Sequence, residues 1–306
     1  MPAKKPEISP QSIESGFRDH GFVSTGEVST TLFLAETLGK PLLLEGPPGV
    51  GKTEIGKLWA LYHGAELIRL QCYEGLDEAK ALYEWSYAKQ MLYAQLLREK
   101  TGEIVSGATD LASAIRALEG QADQFFSREF LLPRPLLAAI TSPQPVVLLI
   151  DEVDRADEEF EAFLLEVLSE GQVSIPELGT LRAERPPRVI LTSNDSRDLS
   201  DALRRRCLYL YVDYPGPDEE LAIVESRVPG ISATLAQQLV RFTQSLRKSS
   251  LRKQPGIAET VDWALALIAV GADGLSTSAL RRTLGALLKN REDLERVLAD
   301  LSRHRG

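Results

Sequence analysis

The chain has 306 residues, 43% hydrophobic and 26% charged, an ordinary globular composition and enough length for one large or two medium domains with real cores. A net charge of −9 and a pI near 5.1 exclude a broadly basic nucleic-acid surface, while leaving room for a local basic patch. Cys72 and Cys207, with His20, His63 and His304, are too scattered for a disulfide framework or a structural metal cluster.

No apolar run reaches the roughly 18 residues of a membrane span, and Met1-Pro2-Ala3-Lys4-Lys5-Pro6 lacks an apolar signal core, so a cytoplasmic protein without stable membrane insertion is expected. Residues 1–16 are polar and Pro-rich and read as a flexible arm. Glu27 to Leu38 reads as a helix stopped by Gly39. Pro41 to Glu45 is a short apolar run that reads as a buried parallel strand. Gly46-Pro47-Pro48-Gly49-Val50-Gly51-Lys52-Thr53 follows it, and Glu54 to Tyr62 reads as a helix. The octapeptide matches G-x-x-x-x-G-K-[ST], a loop whose backbone N–H groups converge on phosphate. The helix N-terminus adds partial positive charge. Lys52 would reach the β- and γ-phosphates, and the Thr53 hydroxyl would bind Mg²⁺.

Leu67 to Leu70 is the next expected strand. Residues 73–135 read as an insertion, too long for a simple link, that either carries partner contacts or only elaborates packing. Within it, Leu76 to Arg98 and Leu111 to Phe126 have helical composition, joined by a loop over Lys100 to Thr109. Tyr73, Tyr83, Trp85, Tyr87 and Tyr93 cluster there, at a spacing that favours core over binding surface. Val146 to Ile150 is the clearest buried strand, followed by a helix over Phe160 to Ser169 and a β-hairpin over Gln172 to Glu184. Arg188 to Thr192 and Cys207 to Val212 are further strands, with a short helix-like stretch from Leu199 to Leu203. Past Tyr214-Pro215-Gly216-Pro217 only helices are expected: Asp218 to Arg227, Ala233 to Lys248, Ala258 to Val270 and Ser276 to Leu301. The fold class is therefore α/β over residues 17–215, with a small all-helical domain over residues 216–306.

Beyond the phosphate loop, Asp151 closes an apolar strand, where a carboxylate can hold Mg²⁺ through water. Glu152 could orient and polarise an attacking water, provided the chain turns at the strand end. Asn194 ends the next apolar strand and could hydrogen-bond that water. Arg204-Arg205-Arg206 is either a solvated basic patch or the source of an arginine finger acting on a neighbouring subunit.

The order of these motifs resembles that of the AAA+ ATPases. The hairpin and the long insertion are similar to the MoxR branch. Several stretches look closest to the CoxD-like group, among them Gln71-Cys72-Tyr73-Glu74-Gly75-Leu76-Asp77, Ala81 to Trp85, Asp154 to Leu168, Ile175 to Thr180 and Pro255-Gly256-Ile257-Ala258-Glu259-Thr260. The resemblance implies a P-loop core with a parallel sheet, a hairpin insertion and a helical lid, working as a homohexameric ring with ATP between subunits. Gly46 to Glu54 would bind ATP, Thr53 and Asp151 the Mg²⁺. Glu152 would be the catalytic carboxylate, Asn194 the first sensor and Arg206 the finger. It also implies a chaperone partnered by a von Willebrand factor A domain protein, with a metalloenzyme client such as carbon monoxide dehydrogenase and its copper–molybdenum centre. One departure is that Ala258 to Trp263 contains no arginine for a second sensor, so that role stays unassigned among Arg252, Lys253, Arg281 and Arg282. Two alternatives remain beside the chaperone: a nucleic-acid motor, disfavoured by the acidic charge and the lack of a DNA-binding appendix, and a nucleotide-switched scaffold with little turnover.

Overall fold

The computed structural model describes residues 8–96, 128–176 and 178–303. Spatial contacts divide the chain into two compact units. Met1–Tyr62, Thr192–Asp195 and Leu208–Gly306 form one; His63–Leu191 and Ser196–Cys207 form the other.

The N-terminal stretch departs from expectation. Instead of a loose arm up to residue 16, helix α1 spans Pro10–Arg18. Ser9 caps it and exchanges hydrogen bonds with Ser12, and Pro10 supplies a preset first helical residue. Its two bulky apolar residues, Ile13 and Phe17, lie four apart on one face and are both fully buried. Two apolar residues in a polar segment are too few to announce a helix. Helix α2 (Gly26–Leu38) is capped by Thr25 and ends at Gly39, in the left-handed region with φ 61°. Strand β1 (Leu42–Glu45) is buried along its length, helix α3 (Lys52–His63) follows the loop, and strand β2 (Glu66–Gln71) comes next.

The expected helix from Leu76 onward is broken. Helix α4 (Glu78–Leu82) gives way to strand β3 (Tyr83–Trp85) before helix α5 (Tyr87–Leu96) begins. The interruption comes from a distant partner: β3 pairs antiparallel with β4 (Leu131–Pro133), and Tyr83 and Trp85 suit a strand once that edge is available. The expected loop over Lys100 to Thr109 and helix over Leu111 to Phe126 lie outside the described residues. Of the five clustered aromatics only Trp85 is buried; Tyr73, Tyr87 and Tyr93 are exposed, Tyr87 by 68%, so the cluster is not core. Helix α6 (Pro135–Thr141) was not expected and buries Leu136, Leu137, Ala139 and Ile140.

Strand β5 (Val146–Asp151) is buried at every position. Helix α7 (Glu158–Glu170) follows, capped by Asp157. The expected hairpin is present as β6 (Gln172–Ile175) and β7 (Gly179–Arg182), with Val173, Ile175 and Leu181 buried. Strand β8 (Arg188–Ser193), helix α8 (Asp201–Arg206) and strand β9 (Leu208–Tyr211) complete the α/β part. The sheet has five strands in the order β2-β5-β8-β1-β9. Pairing is parallel, with Gln71 opposite Asp151, Ile150 opposite Leu191 and Glu45 opposite Tyr211. In a parallel sheet the loops after β1, β5 and β8 all leave from the carboxyl edge, where α/β proteins build their sites.

After β9 the described residues form helices only: α9 (Pro217–Arg227), α10 (Ala233–Arg247), α11 (Ile257–Ala269), α12 (Thr277–Leu287) and α13 (Arg291–Arg303). The last two replace the single helix expected over Ser276 to Leu301. Asn290 explains the break, since its side-chain carbonyl accepts the N–H groups of Glu292 and Asp293 and so starts a new helix. Trp263 is fully buried in this cluster and donates its indole N–H to Thr283. No described helix is long and apolar enough to cross a membrane.

Because the Phe17 ring is fully buried, Phe17→Ala should lower unfolding stability by about 3–5 kcal/mol in urea titration. An unchanged midpoint would show that α1 is dispensable to the core.

Candidate phosphate-binding site

The loop from Gly46 to Thr53 joins β1 to α3, as its sequence requires. Gly46 donates its N–H to Ser193 O at 3.3 Å. A Cβ at Gly46 would fall 2.0 Å from Val212 O, a backbone atom that cannot yield, so only glycine fits. Gly49 and Gly51 have φ values of 81° and 99°, which curl the chain. Pro47, Pro48 and Gly49 lie towards solvent, while Val50 is buried.

Lys52 is 6% exposed. Its ammonium donates to Gly46 O at 2.7 Å, Pro47 O at 2.8 Å and Asn194 Oδ1 at 2.9 Å. Two expected site residues are therefore in direct contact, and the lysine's three donors match three oxygens. Thr53 follows in the first turn of α3. Glu54 pairs with Lys57 at 3.3 Å and Arg227 at 3.6 Å.

In the other unit, Asp151 ends β5 with its side chain 3% exposed. It accepts from Arg69 Nε at 3.0 Å and Nη2 at 2.5 Å. Glu152 sits at φ 56°, ψ 50°, a left-handed conformation rare for a glutamate. This is the turn at the strand end that two neighbouring carboxylates need if they are to escape strand alternation. Glu152 is 32% exposed and pairs with Arg155 Nε at 2.9 Å. Arg206 lies exposed in the last turn of α8, two residues before β9; its Nε donates to Ser169 Oγ at 2.6 Å and its Nη1 to Ala202 O at 3.2 Å.

Several supporting residues escape sequence reasoning. Asp154 is buried and accepts both the N–H and the hydroxyl of Ser196, at 3.0 and 2.5 Å. Glu161 is fully buried and accepts from Arg197 at 2.5 Å and the Ser200 N–H at 2.8 Å. Together they fix the segment after Asp195, itself left-handed at φ 57°. Arg69 carries no signal beyond being a charge inside an apolar strand. Among the described residues, no three His, Cys, Asp or Glu side chains gather to hold a metal ion by themselves. Thr53 supplies a hydroxyl and Asp151 a carboxylate, each a hard oxygen donor of the kind Mg²⁺ takes.

A family model described as AAA domain (dynein-related subfamily) matches residues 41–207. Among solved structures, the chain is similar to the Thermotoga maritima RuvB Holliday junction branch migration motor. Identity is 17%, 90% of this chain and 69% of that one are covered, and the TM-score is 0.45. Two mutants of Thermotoga maritima RuvB match at 17% identity over 91% of this chain and 69% and 70% of theirs, with TM-scores of 0.48 and 0.47. Likeness at this level is too distant to carry a site residue across.

Cys72 adjoins the acidic strand end, its N–H donating to Asp151 O at 2.8 Å. Burial pushes its thiol up to about 12, helped by the negative charges of Asp151, Asp154 and Glu152. The folded state therefore keeps this proton above the ordinary thiol pKa of 9.0, where the unfolded state loses it. The resulting contribution lowers stability as pH rises from about 9 towards 12. At pH 8 the native Cys72 should resist iodoacetamide and react only after denaturation, as read by peptide mass spectrometry. Rapid native labelling would contradict the described burial.

Proposed function

Because this chain belongs to the AAA domain family, dynein-related subfamily, we propose that it is an ATP-hydrolysing AAA+ chaperone of the MoxR type, closest to the CoxD-like group. The observation that supports the nucleotide-binding part of this reading is the buried Lys52 ammonium, shared between the phosphate loop and Asn194, while the MoxR and CoxD-like part rests on the sequence stretches quoted above. That contact ties the residue for binding phosphate to the residue for sensing it. The proposed domain division follows the family pattern, with a nucleotide-binding domain over residues 17–215 and a lid over residues 216–306.

In this proposal the loop N–H groups between Gly46 and Thr53, with Lys52, hold the ATP phosphates, and Glu54 lies in the first turn of the helix behind them. Thr53 and Asp151 hold Mg²⁺, which supplies positive charge against the phosphate oxygens. Glu152 orients the attacking water and draws on its proton. Asn194 fixes that water through its amide. Arg206 serves the active site of the neighbouring subunit, stabilising charge on the transferring phosphoryl group. A shared site of this kind requires a ring, proposed to be a homohexamer. The proposed partner is a von Willebrand factor A domain protein, and the proposed client a metalloenzyme such as carbon monoxide dehydrogenase. The ring would open the client rather than carry the metal. These partners follow from the quoted sequence stretches alone.

Glu152→Gln should lower the steady-state ATPase rate by roughly 10²-fold, from loss of the activating carboxylate, while ATP binding survives. An unchanged rate would favour the nucleotide-switched scaffold, and strong stimulation by DNA would favour a nucleic-acid motor. Arg206→Ala should abolish hydrolysis and spare binding. Mixing Arg206→Ala with Glu152→Gln subunits should restore part of the activity, because some interfaces then combine an intact Glu152 with an intact Arg206. No recovery in the mixture, with light scattering confirming mixed rings, would count against the shared site.

A further inference from the structure

Helix α11 begins on the phosphate loop. Gly256 is its N-terminal cap, and the Ile257 N–H donates to Gly49 O at 2.9 Å. A Cβ at Gly256 would lie 2.9 Å from both Cα and O of Gly49, and 2.8 Å from Glu259 Oε2, which accepts the Gly256 N–H at 3.1 Å. The two glycine backbones therefore touch. Gly256 itself has φ −81° and ψ −178°, a conformation open to any residue. Glycine is required there because of what lies opposite.

A buried ion pair holds Gly256 in place. Arg247, the last residue of α10, is 8% exposed. Its Nε donates to Pro255 O at 2.8 Å, and Nη1 and Nη2 reach the two oxygens of Glu220 at 2.8 and 2.7 Å. The guanidinium also stacks 4.5 Å from the centre of the Tyr214 ring. Glu220, on α9, is fully buried and accepts further bonds from Thr260 Oγ1 at 3.0 Å and Gln244 Nε2 at 2.7 Å. One charge pair thus grips the carbonyl just before Gly256 and the hydroxyl of the first turn after it. Burying such a pair costs hydration and often returns little net stability, so its geometry is the better account of its presence.

Fixing the Gly49 carbonyl has a consequence for the loop. That carbonyl and the Val50 N–H belong to one planar peptide unit and point in opposite directions. With the oxygen tied to Ile257, the Val50 N–H cannot rotate freely. The loop is thereby ordered before phosphate arrives, which removes an ordering cost from binding. We propose that the Glu220–Arg247 pair is a positioning device: it presses Gly256 onto Gly49 and couples α11 to the phosphate loop through backbone. The coupling needs no arginine within Ala258 to Trp263, where the sequence has none. This rests on the nucleotide reading given above.

The test measures the Kd of a fluorescent ATP analogue with Mg²⁺, and the melting temperature without nucleotide, on the full chain. Gly256→Ala should raise the Kd of the folded protein by about tenfold, the value of one strained or lost hydrogen bond, and also lower the melting temperature, because its Cβ meets backbone. Gly216→Ala, another helix cap but with nothing within 4 Å, should leave both unchanged. Arg247→Lys keeps the charge but loses the fork, and should raise Kd in the same direction by a smaller factor. A purely structural role would lower the melting temperature and leave the Kd of folded protein at the parent value. A folded Gly256→Ala protein whose Kd stays within about twofold of the parent would overturn the coupling. Should that variant fail to fold, the Kd of Arg247→Lys decides by the same criterion. Failure of the parent itself to bind the analogue, with Lys52→Ala indistinguishable from it, would instead sink the nucleotide reading and the coupling with it.

Discussion

A buried ammonium is the constraint on which the phosphate loop depends. Taking the charge of Lys52 out of water is costly unless every donor is met. Gly46 O, Pro47 O and Asn194 Oδ1 meet them. Two of these oxygens belong to the loop and one to the residue after β8, so satisfying the lysine fixes both. The tight approach of Gly46 to Val212 O follows the same logic, because a side chain at that position would push the loop away from its lysine.

Local strain accompanies this order. Glu152 and Asp195 adopt left-handed backbone that costs a non-glycine residue on the order of 1 kcal/mol or more. Each lies just past a buried strand. Beside Asp195, the strain is held by side-chain bonds from Asp154 and Glu161 to the following segment. Beside Glu152, the Arg155 pair and the short 3₁₀ turn at Val153–Arg155 do the same. The Glu220–Arg247 cluster extends the pattern to the helices, since its buried polar groups are met by neighbours that also set a backbone position. Polar satisfaction in this protein is thus also a way of aiming backbone.

Where a short segment holds its own cause, the sequence is readable. Val146 to Asp151 is aliphatic up to an acid, and it is a buried strand. The hairpin is legible from its alternation and from Pro176 and Gly179, and α2 stops where Gly39 says it must. Tyr83 to Trp85 fails for the opposite reason. It has helical neighbours, and only pairing with Leu131 to Pro133 makes it a strand. α1 fails because two buried residues carry it, and α12 and α13 merge in the sequence because Asn290 looks like any polar residue until its side chain caps the next helix.

The sequence by itself determined the strand–loop–helix at Gly46 to Thr53, the acids closing β5, the parallel α/β class and the helical C-terminal region, because each is written in glycine spacing or in the period of apolar residues. Only the tertiary structure decided what those residues touch. That Lys52 meets Asn194, that Arg69 holds Asp151, and that Glu220, Arg247 and Gly256 converge on Gly49 are matters of packing between segments 27 to 207 residues apart, taking Glu220 to Arg247 and Gly49 to Gly256 as the extremes. Periodicity records which face of a segment is buried. It does not record which other segment covers that face, and a hydrogen bond made across such a distance leaves no local trace in the chain.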